Sequence, residues 1–87
     1  APGYPACPDH RQKETLWRLL DIENRLGVPI TKNYAMHPAS SISGFYFSHP
    51  QSKYFSVGKI DNEQLSNYAN RQNISLDEAK RGLSNRI

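Results

Sequence analysis

The sequence predicts an α+β domain with a small antiparallel or mixed sheet, a long N-terminal helix and two short C-terminal helices. Leucines recur at helical spacing near the start, β-branched and aromatic residues fill the middle, and two helix-capping signals mark the last third. A chain of 87 residues is long enough for one domain at most. We therefore expect residues 1–87 to form a single unit with a small hydrophobic core.

The first third of the chain predicts an extended arm followed by a helix. Three prolines within the first eight residues favour extended backbone from Ala1 to Cys7, and Gly3 leaves the peptide groups beside Tyr4 open to a ligand. Asp9 is a helix-capping residue, and leucines at helical spacing follow it up to a glycine. This pattern predicts one helix from about His10 to Leu26.

The middle of the chain predicts strands, because β-branched and aromatic residues are punctuated there by glycine, serine and proline. The predicted strands are Ile30 to Met36, Ile42 to Ser48 and Tyr54 to Lys59. The last two form a hairpin across the turn from His49 to Ser52. Aromatic side chains occupy both faces of this hairpin, so one face can pack while the other is free to bind a ligand.

Two capping signals predict the C-terminal helices. Asp61 and Gln64 form a capping box ahead of a helix from Asn62 to about Arg71. Ser75 repeats the signal ahead of a second helix, from Leu76 to about Leu83.

Composition excludes several functional classes. No apolar run approaches the roughly 20 residues that cross a bilayer, and no charged segment precedes an apolar stretch, so we expect neither a membrane partner nor a signal peptide. The lone Cys7 is typical of a reducing compartment, which predicts a cytoplasmic protein. The net charge is +3, but basic and acidic residues alternate along the chain, which favours a solvated surface over a nucleic-acid site.

No residue pattern indicates a catalytic or metal site. The three histidines are spaced by 27 and 12 residues, which matches no ligand motif, and His10 is interpreted as a surface or capping group. Cys7 is interpreted as a small packing residue, because no base is placed beside it. One alternative stays open, a small interaction or RNA-binding module that stacks bases on the aromatic hairpin.

The chain resembles the C-terminal activation domain of cobalamin-dependent methionine synthase. The resemblance is carried by the stretches Gly3 to His10, Tyr34 to Ser40, Ser43 to Phe55 and Asp61 to Glu78. It implies a mixed α+β module that binds S-adenosylmethionine (AdoMet) in a shallow groove, of which residues 1–87 are the C-terminal portion.

The resemblance also implies a function. Enzymes of this family move a methyl group from methyltetrahydrofolate to homocysteine through cobalamin, and the activation domain supports reductive methylation of oxidised cob(II)alamin. The implied partners are the cobalamin-binding module of the same enzyme and an electron donor, flavodoxin or a related reductase. The chain would thus be part of a methyltransferase without catalytic residues of its own.

The resemblance assigns ligand-binding residues within the chain. The family arginine that pairs with the AdoMet carboxylate falls two positions before Ala1, and an acidic residue lies farther upstream. The loop from Met36 to Ser41 is interpreted as the surface that meets the cobalamin module. Phe55 stands where many relatives carry a tyrosine. The implied AdoMet-binding residues are Ala1, Gly3, Tyr4, Tyr54 and Phe55.

Overall fold

The computed structural model describes residues 1–87, which form four α-helices and no β-strand. The helices are α1 (Lys13–Leu20), α2 (Ile22–Leu26), α3 (Asn62–Gln72) and α4 (Leu76–Gly82), with short 3₁₀ turns at His10–Gln12 and Ser84–Arg86. None of these helices has the length and apolar character that crossing a bilayer requires. The predicted α+β class is therefore wrong, and the chain is a small, mostly helical unit.

The first predicted strand, Ile30 to Met36, is a tight loop. The Thr31 amide donates to the Ala35 carbonyl (2.7 Å), and the Tyr34 amide donates to the Thr31 carbonyl (2.9 Å). Tyr34 has a φ of 64°, in the left-handed region, which reverses the chain and is incompatible with a strand. The two ends of the loop form only an isolated antiparallel bridge.

The predicted hairpin is also absent, although its turn is present. The Ser52 amide donates to the His49 carbonyl (2.9 Å), as a turn across these residues requires. The segments on either side, Ile42 to Ser48 and Tyr54 to Lys59, make no backbone hydrogen bonds to one another. Aromatic and β-branched residues favour an extended backbone locally, but a sheet also needs a second strand in register.

The long N-terminal helix predicted from His10 to Leu26 is broken at Asp21. This residue has φ 50° and ψ 48°, a left-handed conformation that ends α1 and turns the chain before α2 begins. The predicted leucine stripe is also mostly outside the core. Leu16 is buried, whereas Leu19 is 71% exposed.

The two C-terminal helices are confirmed within one residue of their predicted ends. The Gln64 amide donates to the Asp61 carboxylate (2.8 Å) and the Asp61 amide donates to the Gln64 side chain (3.0 Å), which completes the capping box. Ser75 caps α4 through its hydroxyl. Packing of these helices buries the small core, which consists of Leu65, Ala69, Ala79 and Leu83.

A buried carboxylate attaches the N-terminal arm to this helix pair. Asp9 is 2% exposed and accepts hydrogen bonds from the Arg11 amide (2.9 Å) and the Tyr68 hydroxyl (2.7 Å). A Cβ added to Gly82 would lie 2.7 Å from an Asp9 carboxylate oxygen, so glycine leaves the space that Asp9 occupies. Arg11 also pairs with Glu78 of α4 at 3.0 Å.

We expect Leu65→Ala to lower the free energy of unfolding by about 2–5 kcal/mol, because the 1% exposed side chain would leave a cavity in the core. The matched control, Leu19→Ala, removes an exposed leucine and should change stability by less than about 0.5 kcal/mol. Urea denaturation monitored by circular dichroism measures both. Equal losses in the two variants would contradict this assignment of the core.

Burial and the hydrogen bond to Asp9 raise the pKa of Tyr68 from its ordinary value of 10.0 to about 12. The native state therefore favours the neutral phenol, and this contribution to stability is present below pH 10 and lost as the pH rises towards about 12. Tyr68→Phe should flatten the fall in unfolding free energy across that interval, whereas Tyr46→Phe, at a fully exposed site, should follow the unmodified protein. Urea denaturation at several alkaline pH values gives the unfolding free energy of each protein as a function of pH. The prediction is refuted if this free energy falls equally with pH in all three proteins.

Candidate functional site

The N-terminal arm folds back on itself, so the prediction of extended backbone from Ala1 to Cys7 is wrong. The Gly3 amide donates to the Cys7 carbonyl (2.8 Å), and the Cys7 amide donates to the Tyr4 carbonyl (2.9 Å). The prolines restrict φ only at their own positions, which leaves the residues between them free to close turns. The resulting turns leave the Tyr4 side chain exposed.

Gly3 is required in this arm for two reasons. Its φ of 94° lies in the region that favours glycine. A Cβ at this position would also overlap the imidazole ring of His10, which packs directly against the Gly3 backbone.

A cleft of about 480 Å³, here named the arm cleft, brings together three of the five predicted ligand residues: Ala1, Tyr4 and Tyr54. Two contacts hold the middle of the chain beside the arm, one from the Tyr54 segment and one from Gly44 in the segment before the turn. The Val57 amide donates to the Pro5 carbonyl (2.8 Å). Gly44 approaches Ala1 so closely that an added Cβ would lie 3.3 Å from the Ala1 Cβ, as expected for a glycine that admits another stretch of backbone.

An apolar groove of about 670 Å³, here named the aromatic groove, adjoins the arm cleft and shares Ala1 and Tyr54 with it. Phe55, another predicted ligand residue, lines this groove rather than the arm cleft. Phe45 and Phe47 line it too, with their ring centroids 6.1 Å apart and an interplanar angle of 17°. Four of the five predicted residues therefore line two adjoining hollows instead of one, and Gly3 lines neither.

Lys13 and His10 also line the arm cleft. Neither was predicted from the sequence to belong to the ligand site. Lys13 is only 7% exposed. Its Nζ donates to the Tyr34 carbonyl (2.8 Å) and lies 3.0 Å from His10 Nδ1. The one signal that could have revealed it is its position three residues before the buried Leu16, on the same face of α1.

The site shows neither an activated nucleophile nor a cluster of metal ligands. Burial raises the pKa of the Cys7 thiol, so at neutral pH the side chain is a protonated packing group rather than a thiolate nucleophile. The structure contains no group of three His, Cys, Asp or Glu side chains that could hold a metal ion. A separate cavity of about 500 Å³ beside α3 contains none of the predicted ligand residues.

Comparison with known proteins identifies the family. A family model described as "Vitamin B12 dependent methionine synthase, activation domain" matches residues 1–73. The chain belongs to this family. The matched residues include the arm, the arm cleft and the aromatic groove, so the recognition of the family from these motifs is confirmed.

A solved structure of the methionine synthase family extends this result. It is described as "Crystal Structure of the MetH Reactivation Domain bound to AdoHcy" and matches with a TM-score of 0.97 and 47% sequence identity. The match covers 100% of this chain and 27% of the other chain. This chain thus spans about a quarter of that relative and has the fold of the corresponding part.

We expect Gly3→Ala to lower the free energy of unfolding by about 1–3 kcal/mol, because the new methyl group meets both an unfavourable φ and the His10 ring. Gly58→Ala is the matched control, since a Cβ there would meet no atom within 4 Å. Thermal and urea denaturation compare the two variants. A Gly3 variant as stable as the Gly58 variant would show that the arm tolerates another conformation.

Proposed function

We propose that residues 1–87 are the C-terminal portion of the AdoMet-binding activation domain of a cobalamin-dependent methionine synthase. The arm cleft is the observation that carries this proposal, because it gathers Ala1, Tyr4 and Tyr54 from positions far apart in the sequence. Family membership and the AdoHcy bound to the similar solved structure support the choice of ligand.

The residues of the arm cleft fit AdoMet chemically. The volume of about 480 Å³ lies within the usual range of small-molecule sites. Tyr4 and Tyr54 are 62% and 68% exposed, so their ring faces are available to a flat heterocycle or to the sulfonium cation. The Gly3 carbonyl accepts no hydrogen bond from the rest of the chain and can therefore accept one from the ligand.

The upstream end of the arm is where the amino-acid part of the ligand would bind. The family pattern places a carboxylate-binding arginine two positions before Ala1. A bidentate arginine–carboxylate pair is among the stronger contacts available to a protein, and it would anchor the ligand at that end. The adenosine part would then extend towards Tyr54 and the aromatic groove.

This portion of the protein acts by positioning. When bound, AdoMet supplies an already activated methyl group, so the surrounding residues need only orient it and exclude competitors. The loop from Met36 to Ser41 supports a docking role towards the cobalamin module, because Met36, Ala39 and Ser41 line the same cleft as Tyr54. Presenting the methyl group in this way needs no general base from residues 1–87.

The intact protein would be a methyltransferase that uses methyltetrahydrofolate, cobalamin and homocysteine. In that setting the activation domain restores oxidised cob(II)alamin by reductive methylation, with one electron from flavodoxin or a related reductase. The cobalamin itself would be held by a neighbouring module outside residues 1–87. We propose no nucleic-acid or membrane partner.

Binding to the intact protein tests this function. Tyr54→Ala should weaken AdoMet and AdoHcy binding about 5-fold to 150-fold, the effect of losing one stacking ring. The control is Leu26→Ala, which removes a side chain that is 70% exposed and lines neither the arm cleft nor the aromatic groove, and it should leave the dissociation constant unchanged. Isothermal titration calorimetry measures both variants, and reductive methylation of the bound cobalamin gives a second readout.

Two outcomes would overturn the proposal. One is an intact protein that binds neither AdoMet nor AdoHcy. The other is salt-sensitive binding of single-stranded RNA that is lost in Tyr54→Ala and indifferent to AdoMet, which would favour an RNA-binding module.

A further inference from the structure

The buried Lys13 ammonium is an unusual feature of the arm cleft. A charge this deeply buried is costly unless hydrogen bonds or an opposite charge stabilise it. The one ion pair in the structure joins Arg11 to Glu78, so Lys13 has no carboxylate partner. Its stabilising partners are instead the Tyr34 carbonyl at 2.8 Å and His10 Nδ1 at 3.0 Å.

The Lys13 contact determines the protonation of His10. An ammonium group can only donate hydrogen bonds, so Nδ1 must accept, and the imidazole proton must reside on Nε2. His10 is therefore neutral in this arrangement. A protonated ring would have no acceptor to offer and would place two positive charges 3.0 Å apart.

The neutral ring occupies a defined place in the site. It packs against Gly3, where it excludes any side chain and supports the backbone at a φ of 94°. The Gly3 carbonyl and the neighbouring Tyr4 ring are the groups that the arm offers to the ligand. Lys13 also holds Tyr34, whose left-handed conformation closes the loop that precedes Met36 in the cleft wall.

We propose that Lys13 and His10 are positioning residues for ligand binding. The ammonium holds the neutral imidazole against Gly3, and the imidazole in turn keeps the arm in the conformation that binds. This inference rests on the proposed AdoMet site and deepens it, because it makes affinity depend on the protonation state of one histidine.

The other charged groups near His10 make no hydrogen bond to its ring. His10 also lines a second cavity, whose charged lining residues are Asp9, Arg11, Lys32, Glu78 and Arg81. The two acids are already engaged, Asp9 by the Tyr68 hydroxyl and Glu78 by the Arg11 guanidinium. Protonation of His10 should therefore break its bond to Lys13 and weaken ligand binding.

The test is the pH dependence of AdoHcy binding to the intact protein, measured by calorimetry from about pH 5.5 to about pH 8.5, the range in which imidazoles titrate. We expect affinity to fall about tenfold towards the acid end, the effect of losing a hydrogen bond to a charged group. His10→Gln retains an acceptor that does not titrate, so its affinity, although lowered by loss of the ring that packs against Gly3, should no longer depend on pH across this range.

Two further variants complete the design. His49→Gln, at an exposed turn outside the arm cleft, should retain the acid dependence of the unmodified protein. Lys13→Met keeps the apolar stem without the ammonium and should bind about tenfold more weakly at the alkaline end, with little further loss towards the acid end, where the unmodified protein has already lost this contact. If Lys13→Met does not fold, His10→Gln and the nitrogen chemical shifts of His10, which report the tautomer, decide the matter alone.

The outcomes separate this inference from the proposed function. If the intact protein binds AdoHcy and Tyr54→Ala weakens binding, but His10→Gln retains the acid dependence, the positioning role is refuted and the ligand site stands. A His10 tautomer protonated at Nδ1 would refute it as well. If the intact protein does not bind AdoHcy at any pH, both proposals fall.

Discussion

The bond between the buried Asp9 carboxylate and the Tyr68 hydroxyl is the contact on which the arrangement of this chain depends. The hydrophobic cluster lies at the α3–α4 pair, and the buried Pro2 and Leu16 are not part of it, so this cluster alone does not position the N-terminal arm. Asp9 connects the two, because it caps the turn before α1 and accepts from Tyr68 on α3 at 2.7 Å. A carboxylate that is 2% exposed must keep its donors, since an unpaired charge is costly to bury.

With the arm anchored, the site is assembled from parts that are distant in sequence. The Val57 amide donates to the Pro5 carbonyl, which places the Tyr54 segment beside the arm, and Gly44 of the preceding segment admits Ala1 against its backbone. The arm cleft is therefore a consequence of a few backbone contacts. The groups it exposes are aromatic faces and free peptide groups, which suit the proposed positioning of an activated methyl donor better than acid–base catalysis.

Hydrogen bonds of buried charged groups hold several parts of this chain in place. In a small unit with eight buried residues, two of them, Asp9 and Lys13, are charged, and each is satisfied by partners from another part of the chain. Such contacts specify one geometry more sharply than apolar packing does, because a misplaced partner leaves a charge without a hydrogen bond. The proposed dependence of ligand binding on the protonation of His10 follows from the same requirement.

The sequence by itself determined the features whose signals are satisfied within a few residues. The capping residues Asp61 and Ser75 bond to amides three positions away, and the motifs of the arm identify the family. Only the tertiary structure decided the rest. An aromatic segment does not become a strand without a partner in register, and the break at Asp21 has no local signal as clear as a cap. Likewise, the burial of Lys13 depends on the Tyr34 carbonyl, which lies 21 residues away and reaches it only when the chain has folded.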